Sequence, residues 1–470
     1  MFFLENGVSN DIAIIDEYGE KFTYKDLKLI INDFSKNIPN NSLVFNLVSN
    51  DLSSIVSYLS FLDNKVVSLL LSENIKESHL QKLINIYQPK LIFCEKRNIN
   101  NYEKIKSFRN KHLLINNSYN NFDINKDLSL LLTTSGSTGS PKLVKISNKN
   151  LLSNSKSICS YLKLSKSDIS ITSLPLNYSY GLSIINSHFY IGGSTVLSKN
   201  SMIEKKFWGD VNDNNVTNIS GVPYNYEIIL KLGIDNLQIP SLKFMTQAGG
   251  KLSENKIDRI IRDLNKKNIK FYIMYGQTEA TARIAYLPPS ENLIKKNCIG
   301  RAIPNGEIYL VDENGNLIEK NREVGEMIYK GPNVSMGYAE TKNDLSIGDV
   351  NRGILKTGDL AYFDENKYFY LQGKKSRYIK VFGNRISLDS IESIISKMEY
   401  VSAVTGDEDK IFIYIENNIN FSKDKFLEKI SEEITINMSS ISLKILDELP
   451  RLETGKIDYK NLNNLSNSLI

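Results

Sequence analysis

Apolar and polar positions alternate along this chain in two rhythms. Behind Thr23, residues Leu27, Ile30, Ile31 and Phe34 fall three and four apart, the spacing of one helix face. Thr23 stands where an N-cap would, and Asp26 follows at the capping-box position. Between such helical stretches lie short apolar runs at 67–71 (VSLLL), 90–94 (KLIFC), 128–135 (LSLLLTTS) and 271–276 (FYIMYG). Each is short enough to be a buried strand. Strands alternating with helices predict an α/β domain.

From about Gly306 the texture changes. The stretch 308–318 (IYLVDENGNLI) places an Asn314-Gly315 turn between apolar segments, and 359–373 (DLAYFDENKYFYLQG) alternates around a second polar turn, so both are expected to be hairpins. After Gly373 comes a basic stretch, KKSRYIK, then a helix candidate at 388–398, a strand candidate at 411–416 and a second helix from Phe421. The change predicts a domain of residues 1–375 and a smaller one of 376–470, joined near Ser376.

Composition narrows the picture. A chain of 470 residues, 41% of them hydrophobic, can bury a large core and more than one domain. Lys+Arg of 58 against Asp+Glu of 53 leaves +5, spread along the chain, so no nucleic-acid partner is expected. The cysteines Cys94, Cys159 and Cys298 have no metal-like spacing, which argues against a zinc site or a disulfide framework and fits a cytoplasmic protein. The N-terminus turns polar after four residues and no apolar run reaches spanning length, so neither a leader nor a membrane partner is expected.

The candidate chemistry begins where the run at 128–135 passes into Thr134, Ser135, Gly136, Ser137, Thr138 and Gly139 and ends at Lys142. Backbone N–H groups, hydroxyls and a cation can converge there on phosphate oxygens, although the order is not GxxxxGK[ST]. Further segments follow: PLNYSYG at 175–181, AGGKL at 248–252, YGQTEA at 275–280 and GEMIYKGPNVSMGY at 325–338. KTGDL at 356–360, IKVFGNRISLDSIE at 379–392 and PRLETGKIDY at 450–459 complete the series.

In this order the segments resemble the adenylate-forming superfamily of acyl-CoA synthetases, nonribosomal peptide synthetase adenylation domains and luciferases, over almost the whole chain. The resemblance implies an α/β fold: a large N-terminal domain of packed sheets flanked by helices with a β-barrel-like subdomain, then a small mobile α+β C-terminal domain. It implies ATP and Mg²⁺ as cofactors, and acyl-AMP formation followed by a thioester to coenzyme A or to the phosphopantetheine of a carrier protein acting in trans. The partner is then a small carboxylic acid.

Residue by residue, the resemblance gives Tyr275 to adenine, Thr278 to the α-phosphate and Glu279 to Mg²⁺, with Gln277, Gly249 and Gly250 beside the nucleotide. Asp359 would hold the ribose and Lys374 would lie next to it. Lys456 would reach the carboxylate and α-phosphate in the first step. Lys380 and Gly383 would line a thiol tunnel once the C-terminal domain has rotated about Ser376. The acyl pocket would be lined by Tyr178, Gly181, Gly221 and Tyr224, with 248–250.

Four features depart from the family's pattern. Lys374 replaces the usual Arg, keeping the charge and losing the planar fork. Tyr178 stands where many acyl-CoA synthetases carry His, Ser147-Asn148 replaces a Thr-His pair, and the Asp that holds an α-ammonium is missing from SYGLSIINS. His188, in the apolar stretch INSHFYIGG, reads as a packed or partly exposed residue rather than a catalytic one. Two other readings share the first-step motifs: an amino-acid adenylating enzyme and a non-catalytic nucleotide or acyl sensor. An oxygen-using, luciferase-like enzyme would share the first step only.

Overall fold

The computed structural model describes residues 3–95, 99–133, 142–381, 384–407, 410–416, 422–434 and 436–467. The loop residues Thr134, Ser135, Gly136, Ser137, Thr138 and Gly139, and also Gly383, lie outside the described residues.

The first helix is Tyr24–Ser35. Thr23 Oγ1 accepts from the Asp26 N–H at 3.1 Å while the Asp26 carboxylate accepts from the Thr23 N–H at 2.9 Å, closing the capping box. Leu27, Ile31 and Phe34 face the core. The four apolar runs become the strands Val67–Ser72, Leu91–Glu95, Leu128–Thr133 and Lys270–Tyr275.

Among the described residues two large sheets carry these strands. The eight-stranded one places Leu128–Thr133 between Leu143–Ser147 and Val67–Ser72, followed by Leu43–Val48 and Leu91–Glu95. The thirteen-stranded one has Asn218–Gly221, Phe244–Gln247 and Lys270–Tyr275 as parallel neighbours. One core joins Leu130 and Val144 of the smaller sheet to residues of the helices Leu52–Asp63 and Ser179–Ile191, which are buried on nearly every side.

Beyond Tyr275 the larger sheet turns antiparallel. Ala285–Leu287, Cys298–Ala302, Phe369–Lys374, Ile354–Phe363, Gly325–Lys330 and Glu307–Val311 extend it in that order. These strands are thus hydrogen-bonded onto the parallel part. The hairpin of Ile354–Phe363 and Phe369–Lys374 sets Asp359 opposite Lys374. The Asn314-Gly315 turn forms, with Gly315 at φ 86, but its return arm makes only the Val311–Leu317 bridge. That arm has three residues before a charged stretch, so Glu307–Val311 takes Gly325–Lys330 as its partner instead.

The C-terminal part builds its own core from Val381, Ile391, Ile395, Val404, Ile413 and Ile430. A three-stranded sheet of Ser402–Asp407, Lys410–Glu416 and Ile441–Leu446 packs there with helices Leu388–Lys397 and Lys423–Ile434. Ser376 lies in the short turn Lys375–Arg377.

Candidate active site

Parallel strands expose their carboxyl ends on one edge, where an α/β sheet receives ligands. Here the strands Asn218–Gly221, Phe244–Gln247 and Lys270–Tyr275 end beside Tyr178, the residue that opens helix Ser179–Ile191. Lys456 arrives from the C-terminal part, its Nζ 5.2 Å from the centre of the Tyr178 ring. Gly249 makes this approach possible. It sits at φ 84, and a Cβ there would stand 2.6 Å from the Tyr178 hydroxyl, 3.1 Å from Val222 Cγ1 and 3.7 Å from Lys456 Cε. Gly250 is confined by Pro223, whose Cγ would lie 3.0 Å from an added Cβ. Burial, with Lys374 in support, holds the Lys456 ammonium below its ordinary pKa, and Glu279 pulls the other way.

On one side of Lys456 lies a set of groups suited to a nucleoside. The Tyr275 hydroxyl donates to Asp359 Oδ2, and Gln277 Nε2 donates to the same oxygen at 2.8 Å and to the Thr357 carbonyl at 2.9 Å. Asp359 Oδ1 faces Lys374 Nζ at 3.8 Å. Burial raises the Asp359 pKa, against the pull of Lys374. One carboxylate oxygen is therefore committed to the protein, and the other is turned toward a cation and available to a ribose hydroxyl.

Next to this set are groups suited to phosphates. Thr278 Oγ1 lies 3.1 Å from Ser179 Oγ. Glu279 Oε1 accepts from the Tyr338 hydroxyl at 2.8 Å, and Lys142 Nζ stands 3.8 Å above the Tyr338 ring. Tyr338, which the sequence reading did not single out, bridges the two predicted phosphate-side residues; the only sequence signal is its place at the end of GPNVSMGY. No group of three or more His, Cys, Asp or Glu side chains among the described residues could hold a metal ion by itself. Glu279 alone fits Mg²⁺, which binds through one or two carboxylates and completes its octahedron with phosphate oxygens and water.

The acyl side differs in detail from expectation. Tyr178 is buried and packs edge-on against Tyr180, with ring centres 6.2 Å apart. Gly221 is pressed against Tyr226, whose ring carbon would lie 3.0 Å from an added Cβ. At Gly181 a Cβ would be 2.3 Å from the Pro175 carbonyl oxygen, so glycine lets the helix lie against its own entry segment. Tyr224 is 40% exposed and stacks under Arg451 at 4.8 Å, placing it on the rim. The tyrosine of that segment which turns inward is Tyr226, donating to the Thr246 carbonyl at 2.7 Å.

His188 is a packed residue, as read. Asn218 Nδ2 donates to its Nε2 at 3.0 Å, so Nδ1 carries the proton and donates to the Ile184 carbonyl at 2.8 Å. Burial lowers its pKa and keeps it neutral. Burial pushes the Cys159 and Cys298 thiols up to about 12, so neither is a nucleophile.

Lys380 is in the strand Tyr378–Val381, paired across a two-stranded ribbon with Arg385. The C-terminal part is held by Lys251 Nζ to Ser393 Oγ at 3.3 Å, Asn255 Nδ2 to Glu399 Oε1 at 3.2 Å and Arg451 to Glu227 at 3.8 Å. In this arrangement Lys456 is brought to the strand ends.

A carboxylate set for ribose, an acid and cations set for phosphate, and a lysine between them make this a site for nucleotide chemistry. The chain belongs to the AMP-binding enzyme family, whose model matches residues 5–339. Oxalate–CoA ligase of Arabidopsis thaliana is 29% identical over 348 residues, 71% of this chain and 66% of that protein, just under two thirds of its length. Oxalate–CoA ligase of Saccharomyces cerevisiae is 26% identical over an alignment of 524 positions, gaps included, that covers 96% of this chain and 94% of the relative. The fold is shared with o-succinylbenzoate CoA synthetase (MenE) from Bacillus subtilis in complex with the acyl-adenylate intermediate OSB-AMP. The TM-score is 0.79 at 21% identity, over 98% of this chain and 97% of the other.

Proposed function

We propose that this protein is an AMP-forming acid–thiol ligase. In the first step a carboxylate oxygen of the substrate attacks the α-phosphorus of ATP; the new O–P bond forms as the bond to pyrophosphate breaks, giving acyl-AMP. In the second a thiolate attacks the acyl carbon and AMP leaves with the carboxylate oxygen. Lys456 stabilises charge as it moves from the carboxylate to the α-phosphate, Thr278 donates beside it, and Asp359 and Tyr275 fix the nucleoside. Mg²⁺ held at Glu279 would neutralise phosphate charge. The observation that carries this reading is Lys456 seated at the strand ends against Tyr178 and Gly249.

The separate C-terminal core supports a division into 1–375 and 376–470 with a pivot near Ser376, so that rotation withdraws Lys456 and presents Lys380 and Gly383 to the thiol. Coenzyme A is the thiol favoured by the activities of the relatives. A carrier-bound phosphopantetheine uses the same chemistry, and both are reagents of the cytoplasm, where we place the protein.

The test is acid-dependent exchange of pyrophosphate into ATP, followed by thioester formation. Lys456→Ala is expected to abolish exchange. Lys380→Ala is expected to preserve exchange and slow thioester formation. The reverse pattern would overturn these assignments.

A further inference from the structure

Arg283 has an environment unlike that of the other buried cations. It is 2% exposed, and its Nε has no hydrogen-bond partner among the described residues. Lys111, equally buried, lies 3.0 Å from Glu73 and 3.4 Å from Asp51. Lys145 donates to the carbonyls of Asp344 and Ile347 at 3.0 and 2.8 Å. The partly buried Arg377 pairs with Asp389 at 2.6 Å and Glu392 at 2.7 Å. No described carboxylate forms an ion pair with Arg283. Its guanidinium carbon stands 4.0 Å from the centre of the Tyr180 ring.

Its location is informative. Arg283 follows the Glu279 turn, its charge opposes the burial that raises the phenols of Tyr161, Tyr178 and Tyr180, and its guanidinium also meets the Tyr161 hydroxyl in a neutral side-chain hydrogen bond, which supplies no counter-charge. Tyr178 is the ring against which Lys456 rests. The paired rings of Tyr178 and Tyr180 therefore have a cation at each end, Lys456 toward the nucleotide groups and Arg283 toward the interior.

A guanidinium taken out of water without a counter-charge carries a desolvation penalty that stacking on an aromatic ring offsets only in part. The remaining deficit is removed if a ligand supplies an anion, and the planar fork of Arg matches a carboxylate in two-point contact. Resting on the adenylation reading above, we propose that Arg283 determines acyl specificity and that the substrate is a short dicarboxylic acid. Its distal carboxylate pairs with the guanidinium while the near carboxylate is presented to the α-phosphate. The near carboxylate is consumed in the acyl-AMP bond; the distal one takes no part in the chemistry.

The experiment is pyrophosphate exchange with straight-chain acids matched in length, each dicarboxylate against its monocarboxylate: succinate with butyrate, glutarate with valerate, adipate with hexanoate. The wild-type protein is expected to prefer one dicarboxylate over its partner by about 100-fold in kcat/KM, the loss caused by leaving a buried charge unpaired. Arg283→Met is expected to invert that preference. Arg283→Lys is expected to reduce it without inverting it, and this decides the matter if the Met variant does not fold by circular dichroism. Equal use of both acids, with a ratio unmoved in the variants, would overturn the role of Arg283 and leave adenylation standing. Exchange with none of these six acids by folded wild-type protein would overturn this proposal; the adenylation reading falls only if aryl, hydroxy and amino acids also give no exchange.

Discussion

Lys456 carries its charge into surroundings that disfavour it until substrates arrive. Its pKa is lowered in the folded protein, so between that value and the unfolded chain's, about 10.4, the unfolded state binds more protons and stability rises with pH. The penalty is fully present only below that window. Lys456→Met is therefore expected to raise the melting temperature of the ligand-free protein at pH 7 while lowering exchange by at least about 100-fold; thermal unfolding with and without ATP checks both halves. Gly249→Ala should do the opposite to stability. A side chain at φ 84 costs about 1–2 kcal/mol, and its Cβ would meet the Tyr178 hydroxyl. The melting temperature and the exchange rate should fall together. Lys456, Glu279 and Asp359 were legible as members of spaced motifs. Arg283 and Tyr338 were not, because their weight comes from burial and from partners far along the chain, which ATARIAY and SMGY do not reveal.

The hairpin of Ile354–Phe363 and Phe369–Lys374 couples two of the proposed nucleotide-binding residues through register, Asp359 facing Lys374. Lys374→Arg restores a fork at the end of this hairpin and is expected to lower the KM for ATP several-fold. Asp359→Asn should raise that KM by about tenfold or more, because bonds to a charged acceptor are lost. Since burial raises the Asp359 pKa, ATP affinity should begin to weaken, on lowering the pH, earlier than an ordinary aspartate would allow; a KM–pH profile reads this directly. This hairpin could be read from its polar turn and alternation. The Asn314-Gly315 turn was equally readable, yet its return arm was too short to compete with Gly325–Lys330, a partner that only long-range pairing supplies.

At the scale of the molecule, strands far apart in the chain meet at one edge, and a separately cored C-terminal part delivers Lys456 to it. The alternation of strands and helices predicted the α/β class. It could not order the thirteen-stranded sheet, because neighbours such as Cys298–Ala302 and Phe369–Lys374 are separated by a long stretch of chain. The Lys251–Ser393 contact gives a handle on the proposed rotation. With Lys251→Cys and Ser393→Cys joined by a short cleavable cross-linker, exchange should persist while thioester formation falls at least about tenfold, returning when the linker is cut. An unchanged thioester rate in fully cross-linked protein would show that no such movement is needed.

The central claim is that a carboxylate oxygen attacks the α-phosphorus of ATP. The most direct measurement uses substrate acid labelled with ¹⁸O in its carboxylate, with mass analysis of the nucleotide after turnover with thiol. The account predicts a single labelled oxygen in each AMP and none in pyrophosphate. Unlabelled AMP, or ADP and labelled phosphate as products, would contradict it.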